Sequence, residues 1–302
     1  MANIIAVIWD FDKTLVSEYM QTPIFEDNGV DGSEFWKEVD SFAEEIKKTG
    51  VRVNADTCYL NFLIKYAQSG KFKDLSNAKL REYGQRLRFY NGVPEIFDSI
   101  KNVVANEPKY QEYGIKVEHY IVSTGTAETI RGSVVNDYVE DIWGCELLEA
   151  PNAEGKPVIS EVICALDNTS KTRALFEINK GVGKQDGVDV NSTLAEEYRR
   201  VKFKNMIYIA DGPSDIPAFS VVNKNGGSTF AIYPKGNITA FNQVEKMRHD
   251  GRINMYAEAD YSEGTTAYMW ICNKVREYAD RIYLEEKEHI GKQVSAAPKH
   301  LD

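Results

Sequence analysis

Three short apolar runs, each ending on a polar cluster, constrain this chain more than any other feature. They are residues 4–9, 120–122 and 206–210. Unbroken apolar runs bounded by polar turns are the pattern of parallel strands buried on both faces. The first run ends on Asp10-Phe11-Asp12-Lys13-Thr14, the second on Ser123-Thr124-Gly125-Thr126, and the third on Asp211-Gly212-Pro213-Ser214-Asp215. Open α/β sheets bind ligands at the carboxyl ends of their strands. The three clusters are therefore expected along one edge of one sheet. Helical patterns over 127–138, 170–179 and 215–222 alternate with the strands, which argues for a Rossmann-like three-layer α/β core around a parallel sheet.

Residues 17–91 read differently. Helical patterns over 35–48, 57–68 and 76–89 dominate, with many aromatics, among them Phe25, Phe35, Trp36, Phe42, Tyr59, Phe62, Tyr66 and Tyr83. The expected organisation is an α/β core from residues 1–16 and 92–290, an inserted helical cap domain over 17–91, and a flexible tail over 291–302. The aromatics are expected mainly as the core of a small bundle. A hairpin is expected over 146–162, a surface loop over 180–191, and beyond Thr265 a helix with one apolar stripe that packs either on the sheet or on a partner chain.

With 302 residues, 43% of them apolar, the chain can bury a sizeable core. A net charge of −10 gives no footprint for nucleic acid, and any phosphate site must build its own local positive field. Cys58, Cys145, Cys164 and Cys272 form no CxxC pair, so reduced thiols are expected rather than zinc or disulfides. The first apolar run is too short to span a membrane and lacks the basic flank of a signal peptide, which points to a cytoplasmic protein.

Asp10 and Asp12 lie two residues apart just past a strand, where they can address one site. Phosphoryl transfer needs a nucleophile and a proton donor; Asp10 and Asp12 supply candidates, although a pair of this kind can also cap a turn. Ser123, Thr124 and Gly125 offer a hydroxyl and backbone N–H groups before a helix, which suits an anion or a plain N-cap. Lys171 has no acidic neighbour in the following turn; Asp167, four residues earlier, is a possible local partner. Asp211 and Asp215 bracket a Gly-Pro turn. Crowded carboxylates raise their pKa or demand a cation, and Mg²⁺ suits a few carboxylates with water and substrate phosphate.

The four elements in this order resemble the motifs of the haloacid dehalogenase-like (HAD) superfamily. Asp10-Phe11-Asp12-Lys13-Thr14-Leu15 is similar to its D-x-D-x-T motif, and Ser123-Thr124-Gly125 to the strand ending in Ser or Thr. Lys171 falls at the lysine position, and Asp211-Gly212-Pro213-Ser214-Asp215 is similar to D-G-x-x-D. The helical insert and the hairpin before the lysine resemble the phosphoserine phosphatase-like branch. The resemblance covers residues 4–230 and implies Asp10 as nucleophile and Asp12 as acid/base. It implies Ser123 and its neighbours Thr124 and Gly125 at the phosphoryl oxygens, with Lys171 holding both Asp10 and the phosphoryl group. It further implies Mg²⁺ on Asp10, Asp211 and the backbone carbonyl of Asp12, support from Asp215, and Thr14 steadying the loop.

Lys13 departs from the glycine of many members. Lys156 and Lys180 are rivals of Lys171, and the stretch 180–204 and everything after Phe230 carry no motif of the family. The expected activity is Mg²⁺-dependent hydrolysis of a small phosphorylated metabolite through a phospho-aspartyl intermediate. A phosphotransferase of the same superfamily and a catalytically silent phosphate sensor or interaction module are the alternatives. Residues 18–21 are the candidates for substrate contacts, and oligomeric state is open.

Overall fold

The computed structural model describes residues 3–295. In chain order these form β1 (Asn3–Trp9), α1 (Thr22–Asn28), α2 (Gly32–Lys48), α3 (Ala55–Gln68), α4 (Asn77–Gly84), α5 (Glu95–Ala105), α6 (Pro108–Gln111) and β2 (Ile115–Thr126). Then come α7 (Ala127–Arg131), the hairpin β3 (Asp141–Pro151) and β4 (Pro157–Cys164), α8 (Ser170–Lys180), β5 (Met206–Ala210) and α9 (Ile216–Lys224). The chain continues through β6 (Ser228–Tyr233), α10 (Ile238–His249), β7 (Met255–Glu258) and α11 (Thr266–Ser295).

These residues build one seven-stranded sheet in the order β4-β3-β2-β1-β5-β6-β7. Every neighbouring pair is parallel except β3 and β4. Central β1 is buried on both sides, as its unbroken apolar run requires. Ile4, Ala6 and Ile8 join one apolar cluster, and Ile5, Val7 and Trp9 the other, in the period-two alternation of a strand. The chain moves from β1 to β2 on one side and returns to β5 on the other. The carboxyl ends of β1 and β5 thus flank the point where the winding of the sheet reverses, which is where a crevice opens in such folds.

Helices α1 to α4 gather at the hairpin end of the sheet, where α2 packs on α3, α3 on β4, and α4 on α7 and β3. Their aromatics Phe25, Phe35, Phe62 and Tyr66 belong to the same apolar cluster as Ile8 and Tyr120. The apolar stripe of α11, through Ile271, Val275, Tyr278 and Ile282, together with α5 covers the β1 face that carries Ile5. The last helix therefore packs on the sheet. It also makes residues 291–295 helical where a tail is expected; the rest of that tail lies outside the described residues. Among the described residues no helix is long and apolar enough to cross a membrane. All four cysteines are free.

Two helices are shorter than their patterns suggest, for one steric reason. The pattern over 127–138 breaks after Arg131 into a separate 3₁₀ turn, Val134–Tyr138, and the pattern over 76–89 ends at Gly84. Helices α4 and α7 touch backbone to backbone there. A Cβ on Gly84 would lie 2.2 Å from the Thr129 carbonyl oxygen, and one on Gly132 would lie 2.1 Å from that of Arg81. Freed from the helix, residues 88–90 run beside the loop after β1. Arg88 accepts a hydrogen bond from the Ser17 N–H, and Tyr90 donates one to the Leu15 carbonyl.

On β2, beside β1, His119 is fully buried. Its Nδ1 accepts from the Trp9 indole at 3.2 Å, and its Nε2 lies 3.1 Å from the Phe97 carbonyl, a pairing that fits the neutral ring. Burial, with Lys101 nearby, pulls its pKa down to about 3. The unfolded chain takes up this proton below about pH 6.5, whereas the native state does not until near pH 3. His119 therefore costs stability on acidification, on the order of 1 kcal/mol per pH unit between those values. Urea unfolding from pH 7 to pH 4.5 is expected to show a shallower loss in His119→Gln than in the wild type. Parallel slopes would show that His119 is not held neutral.

Candidate active site

Asp10 follows β1 directly, and its N–H donates to the Ile209 carbonyl of β5 at 2.8 Å. That bond carries the β1–β5 pairing one step past the strand and brings Asp10 beside Asp211. Residues 11–16 then coil tightly, with Thr14, Leu15 and Val16 all donating their N–H groups to the Phe11 carbonyl. Lys13 adopts φ 57°, the left-handed conformation that favours glycine, so the departure at this position carries a backbone cost. Its ammonium lies 3.8 Å from the centre of the Tyr19 ring, a cation–π contact that offsets part of that cost.

The site is held together by Lys171. From the first turn of α8 its Nζ reaches 2.7 Å from Asp10 Oδ1 and 2.7 Å from Asp215 Oδ1, with all three side chains buried. Asp167 is not its side-chain partner. That carboxylate accepts from the N–H groups of Thr169 and Ser170, so it caps the start of the helix. The rival lysines are engaged elsewhere, Lys156 with Asp74 and Lys180 with the carbonyls of Val190 and Ser192. Thr14 Oγ1 donates to Asp10 Oδ2 at 3.1 Å, so both oxygens of Asp10 are oriented.

Asp10, Asp211 and Asp215 each place a carboxylate oxygen within 4.8 Å of the others. Three carboxylates around one lysine leave the cluster short of positive charge. Burial raises the Asp10 pKa, and Lys171 only partly pulls it back. Burial, followed by the charges of Asp10 and Asp215, raises Asp211 as well. Burial alone would lower Lys171, but Asp10 and Asp215 outweigh it and hold the ammonium form firmly. The donor set, all hard oxygens at close range with excess negative charge, fits a divalent cation such as Mg²⁺.

Asp12 lies outside this trio. Its Oδ1 accepts from the Met20 N–H at 2.9 Å, and it faces a cleft. Burial and then the charge of Asp10 push its pKa up to about 8, which favours the protonated carboxyl. Ser123 is buried at the end of β2, where its Oγ accepts from the Gly125 N–H at 3.0 Å. Thr124 and Gly125 line the same cleft as Asp12.

Several neighbours were not singled out from the sequence. The Tyr208 hydroxyl donates to Asp215 Oδ1 at 2.7 Å, and the Tyr261 hydroxyl to the Thr14 carbonyl at 2.7 Å. The Tyr90 hydroxyl is buried without a hydrogen-bond partner among the described residues; burial and the Asp211 charge push its pKa up to about 12. Met20, one of the candidates for substrate contacts, packs instead so close to Gly125 that a Cβ there would lie 2.0 Å from the methionine methyl. The signal for Tyr208 was its inward place in an apolar strand; Tyr261 had none, being distant in sequence from every motif.

No family model matches the sequence. An uncharacterized protein of Borreliella burgdorferi is 34% identical over 287 residues, 90% of this chain and 97% of that protein. Among solved structures, the apo form of a phosphoserine phosphatase is similar over 87% of this chain and 97% of its own (TM-score 0.51, 17% identity). A probable phosphoserine phosphatase of Vibrio cholerae is similar over 91% of this chain and 66% of its own (TM-score 0.50, 13% identity). The fold is thus the one seen in these phosphoserine phosphatase structures. By sequence, the chain belongs to one family with the Borreliella burgdorferi protein.

Removing Lys171 would leave two buried carboxylates facing each other without a counter-charge. Lys171→Met is expected to lose about 3 kcal/mol or more in urea unfolding without added metal. Lys171→Met with Asp215→Asn, which removes one of the two charges, is expected to recover part of that loss. Equal stability of wild type and Lys171→Met would show that the triad contributes nothing to the fold.

Proposed function

We propose that this protein is a phosphomonoesterase acting on a small phosphorylated molecule, with Asp10 as nucleophile. The observation that carries the reading is an oriented, lysine-held carboxylate, Asp10, within reach of the Asp211 and Asp215 carboxylates and followed two residues later by a second carboxyl, Asp12, that faces the cleft. One is arranged to attack and the other to donate a proton.

An oxygen of Asp10 attacks phosphorus as the ester P–O bond breaks, and the departing alkoxide takes the proton of Asp12. Asp12, now a carboxylate, removes a proton from water, whose oxygen attacks the phosphorus of the aspartyl phosphate. Inorganic phosphate leaves, and Asp10 returns to its starting state. Lys171 keeps Asp10 in place and offsets charge on the phosphoryl oxygens, while Ser123 and the N–H groups around Thr124 and Gly125 are the proposed phosphoryl donors. Asp10, Asp211 and the Asp12 carbonyl are the proposed Mg²⁺ ligands, with Asp215 in support; the bound ion would neutralise phosphoryl charge. Helices α1 to α4, of which α2 and α3 line the cleft beside Asp12, are proposed to act as a cap that sets substrate choice.

Turnover of p-nitrophenyl phosphate tests this reading. The wild type is expected to release phosphate with Mg²⁺, to stop on chelation and to recover on readdition. Asp10→Asn keeps the Lys171–Asp215 pair and is expected to stay folded by near-UV circular dichroism while kcat/KM falls roughly 10³-fold or more. Full activity in that variant would rule out the nucleophile. Phosphate binding without any turnover by the wild type would favour a sensor.

A further inference from the structure

Beside Asp12 lies a cleft of about 520 Å³, within the range of small-molecule sites. One wall comes from the strand-end loops, through Asp12, Thr124, Gly125 and Ser214. The other comes from the segment after β1 and from α2 and α3, through Tyr19, Gln21, Trp36, Asp40, Asp56 and Tyr59. No lysine or arginine is among the residues that line it, whereas the carboxylates of Asp40 and Asp56 are, beside the carboxyl of Asp12. Asp40 and Asp56 are exposed to the cleft solvent and form no ion pair among the described residues.

The rings on this wall are clustered, with Tyr19 and Trp36 centred 5.1 Å apart and Trp36 and Tyr59 5.8 Å apart. Tyr19 already carries the Lys13 ammonium, so the cluster is one on which a cation can rest. Gln21 supplies an independent sign. It is only 3% exposed, it lines the same cleft, and its side-chain carbonyl oxygen has no hydrogen-bond partner among the described residues. A buried acceptor left unpaired costs free energy that an N–H donor would recover.

From these features we infer that the substrate is an aminoalkyl phosphomonoester, with an ammonium group at the end remote from the phosphate and no carboxylate. This rests on the phosphatase reading and deepens it. The ammonium lies against the Trp36 and Tyr59 rings and donates to acceptors among Asp40, Asp56 and Gln21. A substrate carboxylate would meet three aspartates and no cation on the lining, so an amino acid phosphate fits the cleft poorly.

The test reads binding apart from catalysis. Calorimetry on Asp10→Asn with Mg²⁺ compares ethanolamine phosphate with n-propyl phosphate, and 4-aminobutyl phosphate with n-pentyl phosphate. In each pair an ammonium replaces a methyl group of nearly equal size. At least one amine is expected to bind roughly tenfold or more tightly than its alkyl partner. O-phosphoserine is expected to bind more weakly than that amine. Asp40→Asn with Asp56→Asn, and separately Trp36→Ala, are expected to reduce the amine preference to threefold or less. Equal affinities within both pairs, tighter binding of O-phosphoserine, or an undiminished preference in both variants would overturn the inference. Failure of the wild type to hydrolyse p-nitrophenyl phosphate would sink the phosphatase reading alone, since the binding ratio does not depend on turnover.

Discussion

The structure depends on a lysine buried between two aspartates. Lys171, 1% exposed, can stay charged there only because Asp10 and Asp215 each accept from it at 2.7 Å. Those partners come from the ends of β1 and the start of α9, and the lysine from α8. One ammonium therefore fixes three elements that are far apart in sequence. Removing charges from water is expensive, and a buried pair of this kind is rarely a net source of stability. Its physical effect here is geometric. The triad sets the position of the Asp10 carboxylate, while the excess negative charge of Asp211 leaves room for a cation.

The parts of this arrangement that were legible in the sequence are those with a local signature. β1, the end of β2, and β5 are buried on both faces, so their apolar runs are unbroken, and their polar ends mark the crevice directly. Lys171 could be placed only by its order relative to the other motifs, since a lysine carries no mark of burial. β6 was not legible because it opens with Ser228 and Thr229. Those hydroxyls are satisfied inside the fold, Ser228 by Tyr278 and Thr229 by Asn223 and Asn254. Polarity that is paid for by partners 25 and 50 residues away looks, along the chain, like the polarity of a loop. The early ends of α4 and α7 were hidden for a similar reason. Their glycines act by bringing two backbones together, and nothing in either helix alone reveals its neighbour.

The aromatics between residues 17 and 91 divide in a way periodicity cannot resolve. Phe35 and Phe62 are buried in the common core away from the cleft, Tyr59 is a core member that also lines the cleft, and Trp36 lines the cleft while packing against that core. Phe35 and Trp36 are adjacent on one helix, about 100° apart around its axis. An aromatic stripe wide enough to hold a core thus also presents rings at its margin. The same residue types serve packing at the centre of the stripe and line the cleft at its edge, and position around the helix rather than burial separates them, since Tyr59 and Phe62 are equally buried.

The region after Phe230, which carries no motif, acts on the site through Tyr261. Its N–H donates to the Asn91 carbonyl at 2.8 Å, its hydroxyl to the Thr14 carbonyl at 2.7 Å, and its ring lies 5.6 Å from that of Trp9. Gly92 is pressed against the same backbone so closely that a Cβ would come within 2.2 Å of the Tyr261 carbonyl carbon. Thr14 in turn orients Asp10. A chain of contacts therefore runs from the turn after β7, through Tyr261 and the loop of residues 11–16, to the proposed nucleophile. Lys171 and Thr14 restrain that carboxylate from its two oxygens, and each is anchored in a different part of the sheet. A loop that holds a lysine in a left-handed conformation needs such bracing, because the local backbone preference works against it. The region after Phe230 thus contributes to the site by rigidity rather than by chemistry, which is why no catalytic pattern could mark it.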